Sequence, residues 1–216
     1  VINPDDIIAE FGADSMRMYE MFMGPLQVSK PWQTKGLTGV HRFLDRVWRV
    51  AEEKPIVDEA APEDVEKLLH KTIKKVTHDT GALEFNTAIS QMMIFINEQF
   101  KIDKLYKSVW ERFLMLLSPY APHLAEELWE RLGNEPSIAK QDWPEYDEAL
   151  TVENNVTVVI QVNGKLRDKI EVARGTAKDE LEKLALAQEK VQAYTEGKSI
   201  VKVIAVPDKL VNVVIK

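Results

Sequence analysis

FLMLLSPYAPHLAEELWERLG, Phe113 to Gly133, decides how the chain is read. It opens as the end of an apolar helix, breaks at Pro119 and restarts at Pro122. Proline suits the first turn of a helix, because the N–H it lacks would be unpaired there anyway. Leu124, Leu128 and Leu132 recur at a spacing of four and share one face, and Gly133 is placed to stop the helix. A helix this apolar on one side needs neighbours. The spacing predicts a core helix of a bundle.

The neighbours lie upstream. Asn3-Pro4-Asp5-Asp6 reads as a helix start: a capping side chain, a first-turn proline, and two acids at the positive end of the helix dipole. This helix should end near Gly12. Asp14 should start a second helix, closed by Gly24-Pro25, and Gln27 to Gln33 reads as a loop. Thr34 is expected to cap a long helix to about Lys54, with Leu37, Val40, Leu44, Val47, Trp48 and Ala51 as its apolar stripe. A linker containing Pro55 and Pro62 follows. Further helices are expected from Pro62 to about Gly81, from Glu84 to Phe100 and from Lys104 to Leu117. Their inward sets are Val65, Leu68, Leu69, Ile73 and Val76; Phe85, Ile89, Met92, Met93 and Ile96; and Leu105, Val109, Phe113 and Leu116. Short connections between successive helices favour an antiparallel bundle.

After Gly133 the pattern changes. Pro136, Trp143 and Pro144 sit in an irregular stretch, and residues 146–153 read as a linker with no stiffening signal, hence a mobile junction. From Val156 the period becomes strand-like. VTVVIQVNGKLRDKIEV reads as a hairpin around Asn163-Gly164, Thr176 to Tyr194 as one helix, and IVKVIAVPDKLVNVVIK as a second hairpin turning near Pro207-Asp208. The fold class is therefore mainly α: an antiparallel helical bundle followed by a small α+β domain of β-β-α-β-β order.

Composition narrows the function. The 216 residues carry a net charge of −7 and no cysteine, which excludes disulfides and thiolate metal sites and fits a reducing compartment. Residues 151–216 hold 11 Lys/Arg against 9 Asp/Glu, a balance of +2; residues 1–150 hold 17 against 26, a balance of −9. The C-terminal part is thus the better candidate for touching a polyanion. No apolar run reaches the length of a membrane span, and there is no signal peptide. The first residue is Val1, as expected of a piece of something longer. The four histidines, His41, His70, His78 and His123, show no metal-ligand spacing; His70 and His78 read as polar surface residues. There is neither a GxGxxG nor a GxxxxGK loop, and no nucleophile elbow. Glu126 and Glu127 are adjacent, so they point in different directions and make no acid/base pair. No catalytic residue, cofactor site or metal site is expected in this chain.

Several stretches resemble one family. VINPDDIIAEFGADSMRMYEMFMGPL (Val1–Leu26) is similar to the segment following the KMSKS loop of bacterial leucyl-tRNA synthetases. PWQTKGLTGVHRFLDRVWRV (Pro31–Val50), FNTAISQMM (Phe85–Met93), LLSPYAPHLAEELWERLG (Leu116–Gly133) and the Trp143-Pro144 pair resemble that family's anticodon-binding domain. QVNGKLR (Gln161–Arg167) and VKVIAVPDKLVNVVIK (Val201–Lys216) resemble its small C-terminal domain. PHLAEELW is shared more loosely with the valyl, isoleucyl and methionyl enzymes. MFMGPL, GVHRFLDRVW and VNGKLR together point to the leucyl type. The resemblance divides the chain into residues 1–26, the end of the stem-contact region; 27–148, the helical domain; 149–155, a linker; and 156–216, the C-terminal domain. It implies a parent enzyme of the cytoplasm that uses ATP and magnesium to join leucine to its tRNA. The catalytic and editing parts would lie elsewhere, so this piece alone would be inactive. It implies a partner, leucine tRNA, met at its elbow and variable arm by the C-terminal domain, besides the rest of the synthetase, with no membrane partner and a monomeric state.

Candidate tRNA contacts follow. Lys165 and Arg167 lie two apart on a strand and so share a face. Lys202 lies in the next hairpin, Lys209 near its turn, and Asn163 with Gly164 lets backbone approach a partner. Such groups neutralise phosphates and reach exposed bases at an RNA corner; the other reading is that the lysines blunt strand edges. Arg42, Arg46 and Arg49 lie on one side of the first long helix, where Arg46 and Arg49 can also pair with acids of that helix. Arg17 sits where it could brace the KMSKS loop or meet the tRNA stem. A different class of reading is an acidic helical protein-interaction or structural module with no RNA binding of its own.

Overall fold

The computed structural model describes residues 2–25, 27–135, 137–152 and 155–216. Val1, Leu26, the irregular-stretch residue Pro136 and the linker residues Glu153 and Asn154 lie outside the described residues. The chain is mainly α with a small sheet domain. It divides into two compact units, Val1–Thr151 and Val152–Lys216.

In the first unit, α1 (Pro4–Phe11) is capped by the Asn3 side chain, which accepts from the Asp5 amide at 3.1 Å. Gly12, at φ 84°, turns the chain directly into α2 (Ala13–Phe22). α3 spans Thr34–Glu53 and buries Leu37, Val40, Phe43, Leu44, Val47 and Val50. Thr34 does not cap it; it is the first helical residue. The start of α3 is fixed from α2 instead. The Tyr19 hydroxyl donates to the Gln33 carbonyl and receives the Gln33 amide, both at 2.8 Å. A Cβ on Gly36 would fall 2.7 Å from the Tyr19 ring, so glycine is what lets the two helices close here.

α4 (Glu63–Gly81) and α5 (Phe85–Gln99) follow, then α6 (Lys107–Leu117) and α7 (Pro122–Arg131). The helix expected from Lys104 begins three residues later. Leu105–Tyr106 instead form strand β2, paired in parallel with β1 (Ile56–Val57) from the proline-rich linker. A two-residue strand has too few positions to show an alternating period. The core centres on a ring stack: Phe95 on Phe113 at 4.7 Å and Trp110 on Phe113 at 5.3 Å. Gly133 takes φ 77° just beyond α7, as its place at the helix end predicts. Residues 138–140 form one 3-10 turn. α8 (Glu148–Thr151) packs on α4, with Lys74 reaching Glu148 and the Asp147 amide donating to His70 Nδ1 at 2.8 Å. The start of the stretch read as a linker is therefore tied down. His70, read as a surface residue, is buried between Arg112 (3.3 Å) and the Asp147 amide.

The second unit is a four-stranded sheet of order β4-β3-β6-β5, from β3 (Asn155–Val162), β4 (Lys165–Ala173), β5 (Ile200–Val206) and β6 (Leu210–Ile215). β3 and β6 pair in parallel at the centre. The single helix expected over Thr176–Tyr194 is two, α9 (Lys178–Leu186) and α10 (Glu189–Thr195), parted at Ala187-Gln188, where no glycine or proline announces the break. Val158, Ile160, Val162, Val211 and Val213 meet Leu181, Ala185 and Val191 in a separate small core. Asn163 and Gly164 have φ of 49° and 77°, the two left-handed residues of a type I′ turn. The Asn163 side chain also clips the turn to β6: its amide donates to the Ile215 carbonyl at 3.2 Å and its oxygen accepts the Ile215 amide at 2.9 Å. Asn163→Ala is expected to destabilise this unit by about 2 kcal/mol, from the left-handed backbone and the two lost bonds. Asn163→Gly is expected to cost about half as much, because glycine keeps the backbone conformation. Amide hydrogen exchange at β6 measures both; equal protection in all three proteins contradicts the assignment.

Candidate nucleic-acid interface

On α3, Arg42, Arg46 and Arg49 come together around a shallow depression of about 280 Å³ that they line with Asp45. The spacing i, i+4, i+7 puts them on one face. The Phe100 ring, at the end of α5, lies under two of them. The Arg46 and Arg49 guanidinium carbons stand 5.7 and 6.0 Å from its centroid, and Lys54 Nζ stands at 5.9 Å. Lys54 also donates to the Phe100 carbonyl at 2.8 Å and to the Ile102 carbonyl, which places a cation at the negative end of α5. Arg49 pairs with Glu53 at 2.9 Å, the same-helix alternative, whereas Arg46 takes the neutral Asn97. Arg42 has no side-chain partner among the described residues. The face therefore keeps uncompensated positive charge within a unit that is acidic overall, and it presents cations at a spacing suited to phosphate oxygens.

The second unit sorts its candidates into three places. Asn163 and Lys165 sit at one end of the sheet, and Lys202, in register with Val214, lies near the same end three strands away, roughly 14 Å at ordinary strand spacing. Lys209 precedes β6 at the opposite end, roughly 15 Å along the strand. Lys165, Lys202 and Lys209 have no side-chain partner among the described residues. Arg167 is different. Ile160 opposes Asp168 and Gln161 opposes Leu166, so Arg167 is the extra residue of a β-bulge. Its guanidinium lies 4.0 Å from the centroid of Tyr194 on α10 and donates to the Tyr194 hydroxyl at 3.0 Å. The adjacent Asp168 receives Lys190 of the same helix at 2.9 Å. That pair holds the Asp168 carboxyl below its ordinary value, the Lys190 hydrogen bond being the largest cause.

Arg17 donates through Nε and Nη2 to the Pro119 carbonyl at 3.2 and 3.0 Å, which ties α2 to the α6–α7 corner. Next to it, Asp14 does not start its own helix, whose cap is Gly12. Its buried carboxylate caps α7, accepting the Leu124 amide at 2.8 Å and His123 Nδ1 at 2.8 Å. Ser15 meets His41 Nδ1 at 3.0 Å. No local signal could have revealed these ties, because Asp14 and Leu124 stand 110 residues apart.

Among the described residues, one group has metal-ligand proximity: His78, Asp79 and Glu84, whose ligand atoms lie within 4.8 Å of one another. The Lys75 ammonium already stands 2.6 Å from Asp79 and supplies the cation the carboxylate needs. No helix among the described residues is long and apolar enough to cross a membrane.

The 54% identity to the leucine–tRNA ligase of Borrelia garinii subsp. bavariensis extends over 100% of this chain and 26% of that protein. The crystal structure of the ternary complex of Agrobacterium radiobacter K84 agnB2 LeuRS–tRNA–LeuAMS superimposes with a TM-score of 0.73 at 26% identity, covering 100% of this chain and 30% of that one. The chain thus spans about a quarter of the length of the curated relative it matches. The family model for the anticodon-binding domain of tRNA ligase matches residues 63–184, from the first turn of α4 into α9. This chain belongs to the tRNA ligases that carry that anticodon-binding domain, and its likeness to the leucine enzymes runs from end to end.

Proposed function

We propose that this chain is the tRNA-holding portion of a leucine–tRNA ligase, the cytoplasmic enzyme that joins leucine to its tRNA using ATP. The observation that carries the reading is the 54% identity to a leucine–tRNA ligase along the whole chain. In it, α3 to α7 are an antiparallel bundle of the anticodon-binding type. Its arginine face, Arg42, Arg46 and Arg49, lies along the inner surface of the tRNA. The second unit brings Lys165, Lys202 and Lys209 to the elbow and long variable arm, with the Asn163-Gly164 turn approaching the backbone. Arg17 braces the α6–α7 corner from the segment that leads in from the KMSKS loop. ATP and magnesium act in other parts of the longer protein: this chain has no glycine-rich phosphate loop, and among the described residues the one cluster of three groups with metal-ligand proximity, His78, Asp79 and Glu84, is engaged by Lys75. The piece alone is a monomer without aminoacylation activity.

Fluorescence anisotropy tests this with a leucine tRNA and a tRNA lacking the long variable arm, each at two salt concentrations. The expected result is preferential binding of the first, weakening steeply with salt as counterions are released. Lys165→Glu with Lys202→Glu, and separately Arg42→Glu, are expected to weaken binding about ten-fold or more, and each lost phosphate contact to reduce the salt slope by about one. Equal binding of both RNAs, or none at low salt, overturns the specific role. The second reading is an acidic interaction module, favoured by the −9 balance of residues 1–150. It predicts that all of these charge reversals leave tRNA binding unchanged.

A further inference from the structure

Arg167 is placed by the sequence among the phosphate-neutralising cations, but the fold gives it another position. The bulge turns both Arg167 and Asp168 toward α10, where an unbroken strand would send them to opposite faces. The guanidinium lies over the Tyr194 ring with its carbon 4.0 Å from the ring centroid. Its Nε is buried with no hydrogen-bond partner, while Nη1 reaches the phenol oxygen at 3.0 Å. A guanidinium that leaves a buried donor unpaired calls for a reason. Here the group is engaged by the Tyr194 ring and hydroxyl. Tyr194 is held twice over, by Arg167 at its face and hydroxyl and by the Lys190–Asp168 pair one turn earlier on α10. With one face covered and the hydroxyl satisfied, the residue is still 39% exposed. That exposed surface is where a partner can meet the residue.

We propose that Tyr194 is a stacking platform for an unpaired or terminal nucleobase of the bound RNA, and that Arg167 is the positioning residue that holds the ring in place. A cation on one face and a base on the other is a favourable sandwich, since the guanidinium stacks on the ring while the base brings its own π-face. Lys165 lies two residues before Arg167 on the same strand, exposed and without a side-chain partner among the described residues, and takes the phosphate beside that base. Base stacking tolerates any sequence, so this contact reads the shape of an RNA corner and not its letters. The inference rests on the tRNA-holding reading and adds to it the chemistry of one contact.

The test is anisotropy titration of the 216-residue chain with leucine tRNA across a salt series, for wild type, Tyr194→Phe, Tyr194→Leu, Tyr194→Ala and Lys165→Ala. Leucine keeps apolar bulk over α10 without a π-face, so it separates stacking from folding. Tyr194→Leu and Tyr194→Ala are expected to weaken binding about ten-fold or more with an unchanged salt slope, and Tyr194→Phe to stay within about two-fold. Lys165→Ala is expected to lower the slope by about one. Wild-type affinity in Tyr194→Leu overturns the platform. So does an equal loss in Tyr194→Phe, which would assign the effect to the hydroxyl tether on Arg167. Absence of binding by the wild type itself would overturn the tRNA-holding reading, and the platform with it. The first two outcomes leave that reading intact.

Discussion

Phe113→Ala is expected to destabilise the helical unit by about 3–5 kcal/mol, most of the stability of an ordinary domain. Phe113 is fully buried, and its ring stacks with those of Phe95 at 4.7 Å and Trp110 at 5.3 Å. Truncation therefore loses the transfer free energy of the ring and leaves a cavity walled by two flat rings that cannot collapse into it. It also removes two aromatic contacts, each worth about 0.5–1.5 kcal/mol. Trp110→Phe makes the internal control. The Trp110 indole N–H is buried with no partner, so phenylalanine removes an unsatisfied donor along with some volume. Its expected effect is about 1 kcal/mol. Urea denaturation followed by tryptophan fluorescence reads this unit alone, because all five tryptophans lie before residue 152. A loss below about 1 kcal/mol for Phe113→Ala would mean that this stack does not anchor the core.

That stack was within reach of the sequence because it obeys a period. Val109, Phe113 and Leu116 repeat at helical spacing, and Pro119 and Pro122 mark the corner that follows. The same logic placed Asn163-Gly164 in a hairpin turn and the strand residues of β3 on alternate faces. What periodicity could not carry were pieces too short to have one and contacts between distant residues. Leu105 looked like the first turn of a helix because a two-residue strand offers no pattern. The α9–α10 break fell at Ala187-Gln188, residues that neither stop nor cap a helix strongly. His70 looked like a surface polar residue, since its partners Arg112 and the Asp147 amide stand 42 and 77 residues away.

The candidate interface divides in the same way. Arg42, Arg46 and Arg49 could be put on one face from spacing alone, but the Phe100 ring beneath two of them comes from another helix. Lys165 and Arg167 were expected to share a face by simple alternation. A bulge then set Arg167 beside Asp168 and against Tyr194, 27 residues ahead. Residue type told which groups can meet a polyanion; only the fold tells which of them are already engaged.

Asp79 makes the second large expectation, and it adds a pH dependence. Its carboxylate is fully buried where α4 turns into α5. It receives Lys75 Nζ at 2.6 Å, the Thr87 hydroxyl at 2.5 Å and His78 Nδ1 at 3.1 Å, so one acid joins the end of one helix to the first turn of the next. The Asp79 carbonyl also accepts the Glu84 amide at 2.7 Å across the connecting turn. Asp79→Ala is expected to destabilise the unit by about 3 kcal/mol, because it removes the Lys75 ion pair and the Thr87 and His78 bonds that join α4 to α5. Asp79→Asn keeps the shape and should cost about 2 kcal/mol. Burial alone would raise the Asp79 pKa, but the Lys75, Thr87 and His78 hydrogen bonds and the Lys75 charge together outweigh it and hold the carboxyl below its ordinary value. A depressed folded-state pKa means that the ionised form stabilises the fold at pH values above about 3.9, the unfolded value. That stabilisation disappears as pH falls from there through the lower folded-state pKa. The stability gap between wild type and Asp79→Asn, measured by urea denaturation at pH 7, 5, 4 and 3, should therefore hold constant down to about pH 4 and narrow below it. Taking the difference removes the acid sensitivity that both proteins share. A gap that stays constant to pH 3 would mean that the carboxyl takes up its proton alike in the folded and unfolded states, so that folding does not lower its pKa. A gap that widens as pH falls through about 6 would mean a raised pKa, and burial would then outweigh the Lys75 pair.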